Sequence, residues 1–312
     1  MNTTPSSTPS SSSTALHGRA LVLAGAGSTG NAWEIGLVAG LSEAGVDLTE
    51  ADVIIGTSAG STVAAQITSG RRPAELFADI LAAPPLARRG DAGPERGRAP
   101  NQATQAYLEW SDRIIASAAD ASDMRRKMGA AALETDGSDV RGGARWRDIV
   151  AARLPSRDWP AQRVLITAVD ARTGEPVVFD RHSGVELVDA VAASTSNGFR
   201  PFGAYRIGED RYVNGGYRRS ENADLAAGYA RVLVLSPFGG RSRMPQEWGM
   251  DLATQVEELR TGGSRVETIV PEVEAEHLFG AAAMDVSLRP AAARAGHDQG
   301  RALAERLAEF WR

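Results

Sequence analysis

Apolar residues follow two rhythms along this chain. Short unbroken runs at residues 20–24 (Ala-Leu-Val-Leu-Ala) and 53–55 (Val-Ile-Ile) read as strands buried on both faces, as in a parallel sheet. Residues 163–169, 176–180 and 231–236 add further strands, the first two paired around the turn 170–175. Elsewhere apolar positions recur at helical spacing. Trp33, Ile35, Leu37, Val38 and Leu41 form one such face, closed by Gly45. Tyr107, Leu108, Trp110, Ile114, Ile115, Met124 and Met128 extend another over residues 102–133, and residues 186–193 and the amphipathic stretch 291–311 give two more. Strands alternating with helices predict one α/β domain whose mainly parallel central sheet is flanked by helices.

Two glycine-rich turns punctuate this pattern. Gly25-Ala26-Gly27-Ser28-Thr29-Gly30 follows the first strand and opens a helix, and Gly56-Thr57-Ser58-Ala59-Gly60 does the same after the second. The latter is G-x-S-x-G in the strand-turn-helix setting of a nucleophile elbow, where small neighbours admit a substrate carbonyl to the serine oxygen. The bare pattern is common; its context gives it weight. Adjacent parallel strands bring both turns to one sheet edge, where the upstream loop presents backbone N–H groups beside Ser58 as an oxyanion hole.

The runs LVLAGAGSTGNAWEIGLVAGL, ADVIIGTSAGS and RYVNGG together resemble the three-block signature of patatin-like phospholipases, lipid acyl hydrolases and esterases built on a Ser-Asp dyad. The resemblance extends from about residue 19 to the C-terminus, with a weak middle between about 85 and 160. It implies a three-layer sandwich and a lipid or acyl-ester substrate, with Ser58 as nucleophile in an elbow framed by Gly56 and Gly60. It assigns the oxyanion hole to Gly25, Ala26, Gly27 and Ser28, and the general base to the residue before Gly215 and Gly216. It calls for no metal and no organic cofactor. Three departures stand out: Ala26 replaces a usual glycine, Thr29 replaces an Arg or Lys and so removes a cation from the loop, and Asn214 occupies the place of the aspartate. Gly198 also stands where a proline is usual, beside the small residues Ser194-Thr195-Ser196 expected to line the acyl pocket.

Asn214 is the consequential departure. An amide oxygen accepts a hydrogen bond but not a proton near neutral pH, so the chain as written reads as an impaired hydrolase. Asn214 has three accounts: a substitution made to silence the enzyme, a natural departure, or a latent aspartate reached by deamidation of Asn-Gly. Asn214-Gly215-Gly216 is also, more plainly, a tight turn. Other bases have less to recommend them. His17 borders the tail, His182 sits in a hairpin turn, His277 reads as peripheral or packed, and His297 falls on a polar helix face. Asp170 ends a strand and reads first as the cap of its own turn.

Composition sets the outer limits. At 312 residues and 43% hydrophobic, the chain has ample core for one domain, and its net charge of −5 argues against nucleic-acid binding. The absence of cysteine excludes disulfides and thiolate metal sites and agrees with a reducing, cytoplasmic setting. Residues 1–18 are Ser/Thr/Pro-rich without the apolar run of a signal peptide, and read as a disordered tail before the 19–312 domain. No run of eighteen apolar residues offers a transmembrane segment. A helical insertion around 85–145 reads either as a cap over the site or as plain packing helices.

Three other functions compete. Gly25, Gly27 and Gly30 satisfy the dinucleotide fingerprint, but an NAD(P) site wants an acid ending the next strand, where Gly56 stands with Glu50 and Asp52 before the strand. A non-hydrolytic acyl or lipid binder is made more plausible by Asn214. Acyl transfer would use the same nucleophile as hydrolysis.

Overall fold

The computed structural model describes residues 16–83, 99–135 and 140–312; most of the expected tail and part of the insertion expected around 85–145 lie outside them. Eight strands form one sheet: β1 (His17–Leu23), β2 (Val53–Gly56), β3 (Val164–Asp170), β4 (Pro176–Phe179), β5 (Tyr205–Ile207), β6 (Asp210–Asn214), β7 (Tyr229–Leu235) and β8 (Arg265–Ile269). Their order is β5-β6-β3-β2-β1-β7-β8, with β4 also pairing β3. From β3 through β2, β1 and β7 to β8 every pairing is parallel, whereas β4, β5 and β6 join antiparallel.

The unbroken apolar runs have a direct cause: the central strands are covered on both faces. Leu21, Leu23 and Ile54 face a layer containing α1 (Gly27–Glu43), α2 (Ala59–Ile67), α3 (Pro73–Ala82), α7 (Leu187–Thr195) and α9 (Arg289–Trp311). Val22, Val53 and Ile55 face the opposite side with Val232, Val234 and residues of α8 (Leu252–Thr261). The result is the expected α/β arrangement, a mainly parallel sheet between helical layers.

One contact dominates the thicker layer. A Cβ on Gly36 or Gly40 of α1 would collide with the Ala293 or His297 carbonyl of α9, and one on Gly296 or Gly300 would collide with the Trp33 or Leu37 carbonyl. The two helices therefore meet backbone to backbone along a glycine seam. The C-terminal helix does more than close the sheet, because it fixes the helix that leaves the Gly25–Gly30 loop.

The expected helical stretch at 102–133 is two helices, α4 (Ala99–Ser117) and α5 (Ala121–Thr135), followed by α6 (Val140–Ala151). Met124 and Met128 of α5 are fully buried against Val169, Val213 and Tyr217, so α5 is a packing helix. No helix among the described residues is long and apolar enough to cross a membrane.

Candidate active site

Strand register brings the sequence-distant turns together. Leu23 pairs with Gly56, and Gly56 with Ile166, so the chain just beyond β1 and the chain just beyond β2 leave the sheet side by side. Two residues past that level on β3, Ala168 pairs with Asn214 of the antiparallel β6. Ser58 is likewise two residues past Gly56. Serine and asparagine thus arrive at the same height from strands of opposite direction, and Asn214 Nδ2 donates to Ser58 Oγ at 2.9 Å.

The elbow is strained as its motif requires. Ser58 has φ +53° and ψ −118°, a conformation that an L-residue holds only where its surroundings enforce it. Its N–H donates to Ser194 Oγ at 2.9 Å, and its carbonyl accepts from Ser61 N at 3.0 Å and Ser61 Oγ at 2.6 Å, which starts α2. Gly25 lies against Ser58: a Cβ there would fall 2.8 Å from Ser58 Cβ. Loop and elbow are therefore one packed unit.

The asparagine is equally constrained. Its Oδ1 accepts the Gly216 N–H at 2.8 Å and its own N–H donates to the Ser196 carbonyl at 2.7 Å. Because Oδ1 is committed to the Gly216 N–H, the Nδ2 end faces the serine. Gly215 then packs so tightly on Thr167 that a side chain there would strike Thr167 Oγ1 and its backbone.

Beneath both turns lies a buried polar cluster that sequence reasoning passed over. Thr57 Oγ1 and Thr167 Oγ1 are 3.1 Å apart, and Asn222 Nδ2 donates to Thr57 Oγ1 at 2.9 Å and to the Gly215 carbonyl at 3.1 Å. Asn222 has φ +61°; it and Ser58 are the non-glycine residues with positive φ among those described. Behind this cluster the buried Glu221 carboxyl accepts from Ser236 Oγ at 2.8 Å and from Ser220 Oγ, while burial pushes its pKa up. Nothing local marks Asn222 as important; only Thr57, inside the elbow motif, was in view.

At the oxyanion loop the structure departs from expectation twice. The Ser28 N–H is occupied: it donates to the Ala283 carbonyl at 2.7 Å, and the Thr29 N–H shares that oxygen at 3.0 Å. Nor is the loop without a cation. Arg289, at the start of α9, reaches back 261 residues to the Ser28 carbonyl at 2.8 Å and binds Asn31 Oδ1 at 2.9 Å. Burial, and secondarily the nearby Arg153, holds its guanidinium down to about 10. A single arginine so far along the chain leaves no motif to find.

The remaining candidates sit apart. Asp170 Oδ1 accepts from the Arg172 and Thr173 N–H groups at 2.8 and 2.9 Å, capping its turn as expected. His17 begins β1, and His182 lies in an exposed turn beside Arg181. His277 is exposed, with its Nδ1 against the Glu274 carbonyl. His297 is not on a free polar face: it stacks on Phe77 at 4.6 Å and meets Glu43 at 2.9 Å. Ser194 and Thr195 form the end of α7, and Ser194 serves the elbow through its hydroxyl. α4 reaches the neighbourhood, with Tyr107 Oη 3.0 Å from Tyr217 Oη in the turn after Asn214, and burial raises both phenols. Among the described residues no cluster of acids and histidines is built to hold a metal.

The family model for patatin-like phospholipase matches residues 21–227. Among solved structures, VipD from Legionella pneumophila aligns with 93% of this chain and 67% of its own at 13% identity and a TM-score of 0.41. Full-length ExoU of the Pseudomonas aeruginosa type III secretion system, in complex with SpcU, aligns with 96% of this chain at 18% identity and a TM-score of 0.39. This chain spans about half of ExoU, 53% of its length. A search of curated proteins finds no match.

Proposed function

This chain belongs to the patatin-like phospholipase family, and from that premise we propose that it is a serine esterase of lipid-like acyl esters, disabled at one step by Asn214. In this reading Ser58 Oγ attacks the acyl carbonyl and residue 214 is the position that takes the serine proton and returns it to the leaving group. The amides around Gly25, Ala26, Gly27 and Ser28 stabilise the oxyanion.

The observation that carries this reading is the 2.9 Å contact between Asn214 and Ser58. Its direction explains the impairment. Asn214 donates to Oγ, so the hydroxyl proton finds no acceptor at residue 214, and a neutral amide has no basicity with which to remove it. An aspartate on the same backbone would keep one oxygen on the Gly216 N–H and put the other where Nδ2 stands, reversing the bond so that the serine donates.

Replacing the orienting aspartate of a serine triad by asparagine costs about 10^4 in turnover, and here the residue is the base itself. We expect Asn214→Asp to raise initial rates on p-nitrophenyl acyl esters by about 10^4, and Ser58→Ala to abolish the gain. Equal rates for the original chain and Asn214→Asp would remove residue 214 from the mechanism. The donated bond to Ser58 also suits a second reading, a non-hydrolytic acyl binder; it predicts lipid binding with no turnover after Asn214→Asp.

A further inference from the structure

The oxyanion loop is covered by a segment that nothing in the catalytic reading uses. Ala283 presents its carbonyl to the Ser28 and Thr29 N–H groups at 2.7 and 3.0 Å, which is the interaction a substrate oxyanion would make with a donor of this loop. A Cβ on Gly27 would fall 2.8 Å from both that carbonyl oxygen and Met284 Sδ, so the segment lies directly on the loop.

The covering segment is anchored at its ends and irregular between them. Phe279 is buried, its ring edge-on to Trp33 at 6.3 Å. Arg289 is tied to Ser28 and Asn31. Between these anchors the chain makes two short 3₁₀ turns, Gly280–Ala282 and Val286–Leu288, and begins at Gly280 with φ +67° and open space around its Cβ position. A few single-turn hydrogen bonds and a glycine pivot make a segment that can move without unfolding its neighbours.

The segment also carries apolar surface. Every exposed large hydrophobic residue among those described lies between residues 270 and 286: Val270, Val273, Met284 and Val286, with Val273 77% and Met284 57% exposed. Interspersed with them are Glu272, Glu274, Glu276 and Asp285. Apolar side chains scattered along a projecting strap form no groove for a protein side chain, but they suit insertion into the soft boundary of a lipid layer. The acids beside them oppose an anionic surface.

We propose that residues 280–288 are a strap that docks on a neutral lipid surface through Met284 and Val286, and that docking draws the Ala283 carbonyl off the Ser28 and Thr29 amides. Val270 and Val273 extend the same contact. Burying these side chains in lipid offsets the loss of two backbone hydrogen bonds, whose net worth in water is small. The covered and uncovered forms then differ in whether the oxyanion hole has its full set of donors. The inference rests on the esterase reading for its consequence, but not for its observation.

The test uses the chain as it stands, with hydrogen exchange measured with and without phosphatidylcholine vesicles. The expected result is co-sedimentation with the vesicles and about tenfold faster exchange in peptides covering Ser28–Thr29 and residues 280–288. A Met284→Asp/Val286→Asp variant with unchanged thermal unfolding should lose both effects. Unchanged exchange on vesicles that do bind the protein overturns the strap, and stronger binding to phosphatidylglycerol overturns the choice of a neutral surface. Activity separates the two claims. In an Asn214→Asp background, the rate on a long-chain ester should climb several-fold as the ester aggregates, and Met284→Asp/Val286→Asp should flatten that climb while sparing a water-soluble ester. An inactive Asn214→Asp protein that still shows vesicle-induced exchange sinks the esterase reading and leaves the strap standing; an active one without aggregation dependence does the reverse.

Discussion

Ser58 stands between two halves of the sheet that support it differently. On the β1–β2 side, strand, glycine loop, helix, strand and elbow follow one another without interruption, and close packing fixes their geometry. Gly25 touches Ser58, and α1 leaves the loop only to be pinned along its glycine seam by α9. On the β3–β6 side the chain returns from more than a hundred residues away, and hydrogen bonds predominate beside the close packing of Gly215 on Thr167: Asn214 to Ser58, Gly216 and Ser196, and Asn222 to Thr57 and Gly215. A serine held mainly by local packing is joined to an asparagine held mainly by a polar network, and the proposed function makes the first the nucleophile and the second the base position. Each half has its own way to fail.

On the proposed esterase reading the polar side gives the larger effect, because that reading routes the serine proton through residue 214. Its restoration by Asn214→Asp, at about 10^4, is the widest change expected of any single substitution. The packed side is next. Gly25→Val should push the nucleophile out of line, costing the active Asn214→Asp background about 10^2 in turnover, the order expected for a displacement of about 1 Å. The check is a kcat measured beside a melting curve. If packing, rather than hydrogen bonding, sets this half, kcat falls while the melting curve is unchanged.

How much of this was legible beforehand follows the same division. The loop, the elbow and their adjacency could be read because each is a local strand-turn-helix, with apolar runs that a doubly covered sheet demands. Asn214 was legible as a position, through the short strand and the two glycines after it. Its hydrogen-bond direction was not, since that depends on the Gly216 N–H meeting Oδ1. Ser194, Asn222 and Arg289 escaped because each is one polar residue joined to the site through tertiary structure, without spacing or pattern. The glycines of the α1–α9 seam were visible one by one, yet their pairing needs the relative position of two helices at opposite ends of the chain. β8 gives little signal because only Val266 and Ile269 of its five residues are apolar, which suits its place at the edge of the sheet.

A middle-sized prediction tests the network itself. Asn222→Ala strips the donor shared by Thr57 and the Gly215 carbonyl and leaves buried acceptors behind, which should cost about 1–3 kcal/mol in unfolding free energy. Denaturant titration reads the loss directly. A change within a few tenths of a kcal/mol would mean that packing carries the β3–β6 side as well, and the contrast between halves would dissolve.

The smallest effect compares two buried glutamates, one in each half. Glu221, behind the network, receives hydroxyl donors from Ser236 and Ser220. Glu34, on α1, is fully buried with neither carboxyl oxygen hydrogen-bonded among the described residues; the nearby Ala24 N–H is given to the Leu235 carbonyl. Burial raises the Glu34 pKa well above its ordinary 4.5, so the folded protein holds this proton where the unfolded chain has released it. Stability from the protonated form is therefore complete below about 4.5 and is lost as pH climbs through the folded value. Glu34→Gln cannot ionise and should flatten this slope, unfolding at a higher denaturant concentration than the original chain at pH 8. Burial raises Glu221 as well, but Glu221→Gln keeps one of the two oxygens that accept from Ser236 and Ser220 and turns the other into a donor, so it should gain less. Matching slopes for the two variants would show that hydroxyl donors do nothing for a carboxyl at this depth, and that the two halves differ only at the serine.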